Sequence, residues 1–328
     1  MRGVVGTRRG ACYAVAAAMW IWAAASCAQD YPSKPVRYVI PFDAGSSPDI
    51  VGRVIADRLT RLWGQQVLVD NRVGAAGTIG SAYVARSSPD GHTLLQANIA
   101  SNAIAVSLYA KLPYDQLRDF APITRIGMTP NVVVAHPSTP FKSMKQLIEY
   151  AKAHPAAINY SAALAGTSPQ LTMELLKMQM KFNAVHIPYK IGTQAVSDTI
   201  GGQIPVNISN APLVMAHVQS GRLRALAVTS AQRVVQLPDV PTMQESGVPG
   251  FEVNSWYGLV APAGTPAPVL DKLNADITSV LRLPEVQQRL NEVVMPPAPT
   301  SRKEFGQFIA AEIARWARVI KEAGIPQQ

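Results

Sequence analysis

The sequence predicts an α/β protein of two domains, with mainly parallel sheets flanked by helices and two crossings between the domains. Three observations carry that expectation. Apolar, β-branched runs alternate with helical repeats along most of the chain, the pattern of βαβ units. Two small-residue loops, one in each half, join a strand to a helix that opens on Ser-Pro. Two further segments read as crossings, which is how a hinged clamshell is built when one domain interrupts another.

The elements follow in order. Val36 to Ile40 is a buried strand ending at Pro41. Pro48 to Trp63 carries apolar residues at Ile50, Val51, Val54, Ile55, Leu59 and Leu62, which is helical spacing. Ser47 is the expected N-cap, with Pro48 at the first helical position. Gln66 to Val69 is the next strand, Gly77 to Ala85 a short helix and Thr93 to Ala97 a third strand. Ile123 to Ala135 is the expected first crossing, with Asn131 to Ala135 a strand. The second half repeats the alternation: helix 143–153, strand 158–160, helix 169–180, strand 184–187, helix 193–200, strand 206–208, helix 213–220 and strand 224–228. Pro238 to Gly250 lacks periodicity and reads as a loop. Phe251 to Ala261 is the expected return, and three helical patterns close the chain at 266–281, 284–293 and 301–323. The expected division is residues 1–28 as a signal peptide, 29–128 with 251–328 as domain 1, and 129–250 as domain 2.

The first ten residues hold Arg2, Arg8 and Arg9, followed by an uncharged run from Ala11 to Ala28. A positive start, an apolar stretch and small residues at Ser26 and Ala28 read as a secretory signal cut after Ala28. Two alternatives are an uncleaved anchor, since the run has the minimum spanning length of ~18 residues, and lipid attachment at Cys27. Cutting after Ala28 leaves 300 of 328 residues and removes both cysteines, Cys12 and Cys27. No thiolate or disulfide chemistry then remains, and 300 residues suffice for stability on packed cores alone.

The formal charge is +9, three of which sit in the signal. Without a Lys/Arg block or an aromatic-interleaved basic stripe, this excess favours encounter with anions in general rather than nucleic acid. Enzyme signatures are missing: no G-x-S-x-G, no H-E-x-x-H, no cysteine pair and no P-loop lysine. His92, His136, His154, His186 and His217 are scattered, with no i,i+4 pair, and read as structural or solvated. No metal and no cofactor is expected, and catalysis is not.

What remains is the pair of loops. In Pro41-Phe42-Asp43-Ala44-Gly45-Ser46-Ser47-Pro48-Asp49, Gly45 can take φ > 0 and bring backbone N–H groups close to a ligand. The following helix N-terminus offers free donors and a partial positive charge, which suits a carboxylate without Arg or Lys. A plain strand-to-helix turn would also use Gly and a Ser cap. Ser161 to Pro169 repeats the device, with Ser168-Pro169 opening a helix. Two such loops at the carboxyl ends of strands mark the usual ligand position in open α/β sheets. Gly74 to Gly80 reads as a close backbone approach beside that cleft.

Several ordered segments resemble the extracytoplasmic solute receptors of tripartite tricarboxylate transporters, the Bug family. They include Tyr31-Pro32-Ser33-Lys34-Pro35-Val36, Pro41-Phe42-x-Ala44-Gly45-x-x-x-Asp49, Asp70-Asn71-Arg72-x-Gly74-Ala75-x-Gly77, Pro188-Tyr189-Lys190, Leu237-Pro238-Asp239-Val240-Pro241-Thr242 and Trp256-Tyr257-Gly258-Leu259. The resemblance spans residues 31 to about 323. It implies a two-domain periplasmic binding protein clamshell, type II-like, that closes on a carboxylate and hands it to integral membrane permease subunits as a monomer. The family's two loops grip that group largely through backbone donors and bridging water. Here they would be Ala44, Gly45, Ser46 and Ser47 with Phe42 and Asp49, and Ala163, Gly166, Thr167 and Ser168 with Gln170. Tyr189, Asn207 and Ser209 complete the expected ligand-binding set. The family usually has Gly at Ser46, often His at Gln170 and often Asp at Ser209. The lost acid disfavours an amino acid and points to a dicarboxylate or an aromatic acid. A clamshell that reports a carboxylate to a receptor is the alternative reading, and a hydrolase the remote one.

Overall fold

The computed structural model describes residues 31–155, 157–162, 166–189 and 191–327. The expected signal, with Cys12 and Cys27, and Ala163 lie outside these residues, as does Lys190.

Strands β1 (Val36–Ile40), β2 (Val67–Asn71) and β3 (Thr93–Asn98) are joined by helices α1 (Ser47–Trp63) and α2 (Thr78–Ala85). After β3 the chain coils through Ala100–Ile104 into the short α3 (Ala105–Leu108). Strand β4 runs from Phe120 to Ala135, then α4 (Met144–Ala153), β5 (Asn159–Ala162), α5 (Ser168–Met180), β6 (Val185–Pro188), α6 (Gly192–Ile200), β7 (Val206–Asn210), α7 (Ala211–Gln219) and β8 (Arg224–Val228) follow. Strand β9 (Asn254–Pro262) returns, and α8 (Ala267–Leu281), α9 (Pro284–Glu292) and α10 (Arg302–Glu322) finish the described chain.

The strands form one curled sheet in the order β2-β1-β3-β9-β4-β7-β5-β6, with β8 also on β4. Strands linked by helices pair in parallel: β1 with β2 and β3, and β5 with β6 and β7. A crossover helix allows that direction. The two long strands pair antiparallel, β9 with β3 and β4, and β4 with β7 and β8. The sheet is therefore mixed, antiparallel at its centre and parallel towards both ends.

β4 is the main departure from the sequence reading, which placed a strand only at Asn131–Ala135. Its 16 residues reach about 50 Å when extended. The first part, Phe120 to Pro130, pairs with β9, and the last part, Asn131 to Ala135, sits between β7 and β8. Pro122, Pro130 and Gly127 hid the strand, since neither residue type favours a ladder. The register slips beside Pro122 and again between Arg125 and Gly127, where bulges absorb them.

Burial follows the apolar pattern. Tyr38, Ile40, Ile55, Leu59, Leu94 and Leu273 fill one side of the first half. Val132, Val134, Val196, Val214 and Val228 pack between β4 and its neighbours in the second. The largest cluster joins both halves and includes Trp256, Phe305 and Trp316, all fully buried. Burying such side chains contributes about 25 cal/mol per Å² of apolar surface. Beneath β9, the Glu312 carboxylate accepts hydrogen bonds from Trp256 Nε1 at 3.1 Å and Trp316 Nε1 at 3.2 Å, with Arg315 at 3.3 Å.

Candidate ligand-binding cleft

The two loops fold alike. Both read Gly-(Ser/Thr)-Ser-Pro followed by an amide or acid: Gly45-Ser46-Ser47-Pro48-Asp49 and Gly166-Thr167-Ser168-Pro169-Gln170. Gly45 and Gly166 both stand at φ 79°, a left-handed conformation that costs an L-residue about 1–2 kcal/mol. Each is followed by an extended cap residue, Ser46 at φ −70°, ψ 161° and Thr167 at φ −92°, ψ 157°. The cap of α1 is thus Ser46, not the expected Ser47, and the Ser46 hydroxyl turns back to the Asp43 carbonyl. In each loop the side chain four residues on accepts the glycine N–H: Asp49 Oδ2 at 2.8 Å from Gly45 N, and Gln170 Oε1 at 3.3 Å from Gly166 N.

Asp49 is buried. Besides Gly45, it accepts from Arg53 Nε at 2.8 Å and Asn71 Nδ2 at 2.9 Å. Burial pushes its carboxyl upward, but the hydrogen bonds from Arg53, Gly45 and Asn71 and the guanidinium charge outweigh that and hold it below the usual carboxylate range. It is ionised at neutral pH and fixes the first loop to α1 and β2.

Both helix starts open on one cleft of about 270 Å³, at the small end of ligand pockets, which run from about 300 Å³ upward. Of the predicted residues, Phe42, Ala44, Gly45, Ser46, Ser47, Thr167 and Ser168 line it together. Asp49, Gly166 and Gln170 are not in the lining; Asp49 and Gln170 accept the N–H groups of the loop glycines. Tyr189 is directed elsewhere, its hydroxyl donating to Asp198 Oδ2 at 2.7 Å. Asn207 donates to Ser161 Oγ at 2.8 Å and Ser209 donates to Asn207 Oδ1 at 2.7 Å. Side chains alternate along a strand, so these two share the face opposite that of Asn210, which does line the cleft. Ser209 is not among the lining residues, and its hydroxyl is bonded to Asn207.

Residues outside the expected ligand-binding set complete the walls. Gly192 and Thr193 open α6, Asn210 caps α7, and Asn98 to Ala100 lead into the helical turn after β3. The first N–H groups of a helix have no partner within it, so several sets of donors and dipoles point at this one space. The signature was present at Asn210-Ala211-Pro212, a cap followed by proline, but the periodicity became visible only at Leu213. Gly74, Ala76 and Gly77 form another wall. A Cβ on Gly77 would stand 3.3 Å from Pro41 and Ser101, the close approach expected of this glycine-rich segment.

Ser255 of β9 ties the cleft to the crossing strands. Its hydroxyl lies 2.5 Å from Ser168 Oγ and accepts from Asn210 Nδ2 at 2.7 Å. Asn210 also donates to Asn131 Oδ1 on β4 at 2.7 Å, and Asn131 donates to Thr172 of α5 at 2.9 Å. Tyr257, also in the lining, is buried; desolvation raises its hydroxyl pKa, so it stays a neutral donor. Among the described lining residues, Asp43 is the one carboxylate, and it stands exposed at the rim.

A larger surface groove of about 940 Å³ lies beside α2, away from both loops. Two of its cations are already paired, Lys34 with Asp90 at 2.9 Å and Arg37 with Asp70 at 2.8 Å. Among the described residues, no three His, Cys, Asp or Glu gather where they could hold a metal, and no helix is long and apolar enough to cross a membrane.

Known proteins match this arrangement over nearly all its length. The family described as tripartite tricarboxylate transporter family receptor matches residues 51–325. Protein BugT of Bordetella pertussis is 37% identical over 303 residues, 92% of this chain and 93% of BugT. The solved structure of R. palustris Rpa4515 with adipate superposes with a TM-score of 0.86 at 34% identity, covering 91% of this chain and all of that one. MatC from Rhodopseudomonas palustris with bound malate superposes at 0.81 with 30% identity, over 88% of this chain and all of MatC. These likenesses extend across both halves and both crossing strands, and the chain belongs to the tripartite tricarboxylate transporter receptor family.

Proposed function

We propose that this chain is an extracytoplasmic solute-binding protein. It captures a small organic carboxylate, a dicarboxylate or an aromatic acid, between two domains and delivers it to a membrane permease. Domain 1 comprises residues 29–128 and 251–328, domain 2 comprises 129–250, and residues 1–28 are removed on export. The observation that carries the reading is the duplicated Gly-(Ser/Thr)-Ser-Pro helix start facing one cleft from both halves. Donors of this kind bind a carboxylate with no cation in the site. Ser46, Ser47, Thr167 and Ser168 supply them, Phe42, Ala44 and Gly45 shape the first wall, and Asp49 and Gln170 hold the two glycines in place. Adipate in Rpa4515 and malate in MatC support the carboxylate assignment. The chain performs no reaction on the solute, so the solute leaves unchanged.

Native mass spectrometry of protein from its own extract identifies the solute, and calorimetry then follows its affinity across its own ionisation, about pH 3 to 6. Affinity should fall as the acid protonates. Thr167→Val should weaken binding about tenfold, the effect of losing one hydrogen bond to a charged group. Affinity that rises on protonation, or turnover of the solute, overturns the reading.

A further inference from the structure

We infer that Thr172, Asn131, Asn210 and Ser255 form a relay of hydrogen bonds that fixes the Ser168 hydroxyl as a donor into the cleft, so that the second loop selects a carboxylate over an amide. This rests on the carboxylate reading above and deepens it. The relay residues are positioning residues. They act on the solute through Ser168, which lines the cleft and is 1% exposed.

The relay starts at an oxygen that cannot donate. Thr172 Oγ1 lies 2.8 Å from the Ser168 carbonyl, so its single hydrogen points there, the common bond of a helical threonine to the turn before it. Towards Asn131 it has only lone pairs left, and the Asn131 side chain must turn its Nδ2 to it, at 2.9 Å. Asn131 Oδ1 then faces Asn210, which must present its own Nδ2, at 2.7 Å. The second Nδ2 hydrogen of Asn210 goes to Ser255 Oγ, also at 2.7 Å. The Ser255 hydroxyl keeps its own hydrogen, and the acceptor within reach is Ser168 Oγ at 2.5 Å. Were Ser168 the donor, the buried Ser255 hydroxyl would lose its acceptor, the costly case for a buried polar group. Ser255 therefore donates, Ser168 accepts, and the Ser168 hydrogen is left for the cleft.

A carboxylate offers only acceptors to that hydrogen, whereas the nitrogen of an amide brings hydrogens of its own. The order is also reversible. Without the Thr172 hydroxyl, Asn131 Nδ2 has no acceptor, and a buried orphan donor is less tolerated than an orphan carbonyl. Turning both amides over relieves it. Ser255 then donates to Asn210 Oδ1 and accepts from Ser168, and Ser168 shows the cleft its lone pairs instead.

Two measurements test this. Neutron diffraction from crystals of the deuterated exported protein should place the Ser255 deuteron on the line to Ser168 and the Ser168 deuteron in the cleft. The reverse order overturns the inference whatever the solute is. Acetate and acetamide, alike in shape and small enough to probe the grip alone, are then titrated at constant ionic strength against the backbone NMR signals of Thr167 and Ser168. The wild type should prefer acetate. Thr172→Val should cut the acetate-to-acetamide affinity ratio about tenfold, the effect of one hydrogen bond to a charged group. Thr172→Ser keeps the hydroxyl and should hold the ratio within about twofold. Ser255→Ala, which frees the Ser168 hydroxyl to turn either way, should fall between them. Equal weakening of both probes in Thr172→Val, or a wild-type ratio in Ser255→Ala, overturns the inference. A wild type that does not prefer acetate while its deuterons lie in the inferred order overturns the carboxylate reading and leaves the relay standing.

Discussion

Replacing Asp49 with alanine tests how the first loop is held. The carboxylate accepts three hydrogen bonds, from Gly45 N, Arg53 Nε and Asn71 Nδ2. Arg53 is 52% exposed, so it turns to water, and its ion pair adds little to stability. Asn71 Nδ2 keeps its bond to the Phe42 carbonyl at 2.9 Å. The loss is then close to two hydrogen bonds, about 2–3 kcal/mol at about 1–1.5 each. For a chain of this size each kcal/mol moves the melting temperature by about 2 °C, so a drop of about 4–6 °C is expected. Solute affinity should fall about tenfold, because Gly45 loses the bond that fixes its N–H. Asp49→Asn retains one acceptor and should lose about half as much. Its deficit also depends on pH. A carboxylate held below its ordinary value stabilises the fold above that value, near pH 4, and the benefit disappears as pH falls through the folded value. The gap between wild type and Asp49→Asn should therefore be constant from pH 5 to 7 and close below about pH 4. Thermal melts across that range, with titrations at neutral pH, read both effects. An alanine variant that melts with the wild type, or a gap that widens in acid, refutes the reasoning.

Three further outcomes follow. Gly166→Ala should destabilise more than Gly45→Ala in urea titrations: both meet the left-handed cost of about 1–2 kcal/mol, but a Cβ at Gly166 would also stand 2.7 Å from Leu108 Cδ2, while the space at Gly45 is open. Glu312→Ala strands two buried indole N–H groups and should cost about 2–4 kcal/mol, with altered tryptophan emission, whereas Glu312→Gln, which still accepts, should cost less. Exported material should begin at Gln29 by intact mass; a retained Met1, or acyl groups on Cys27, refutes cleavage after Ala28.

Much of the fold was legible because its signals are local. The run Val36–Ile40 matches its strand end to end, and Arg224–Val228 does as well. β4 was legible only at its last five residues, because its pairing with β9 is a long-range fact and its prolines and Gly127 argue locally against a strand. The loops were legible as Gly, Ser and Pro at helix starts. The partition of each loop into wall and support was not, since Asp49 and Gln170 differ from Ser47 and Ser168 only in the direction their side chains take. That Asn207 and Ser209 turn away from the lining while Asn210 joins it was not legible for a similar reason: a two-residue alternation decides the face, and the sequence does not say which face meets the cleft. Ser255 carries no pattern of its own, and Tyr257, though part of a segment that resembles the family, carries no local sign of a cleft role; both reach the site because β9 returns beside β4.

That no Lys, Arg or His is among the described lining residues has a consequence for where such a site can work. A grip made of arginine or lysine weakens as salt accumulates, because mobile ions compete for it over a Debye length of about 10 Å at 0.1 M. Backbone N–H groups at helix starts are fixed dipoles that act within a single turn, and Tyr257 keeps its proton. Under the carboxylate reading, such a trap holds its solute almost equally in fresh and saline surroundings. Its pH response is then that of the solute, and the surrounding medium acts on capture chiefly through the charge carried by the molecule being caught.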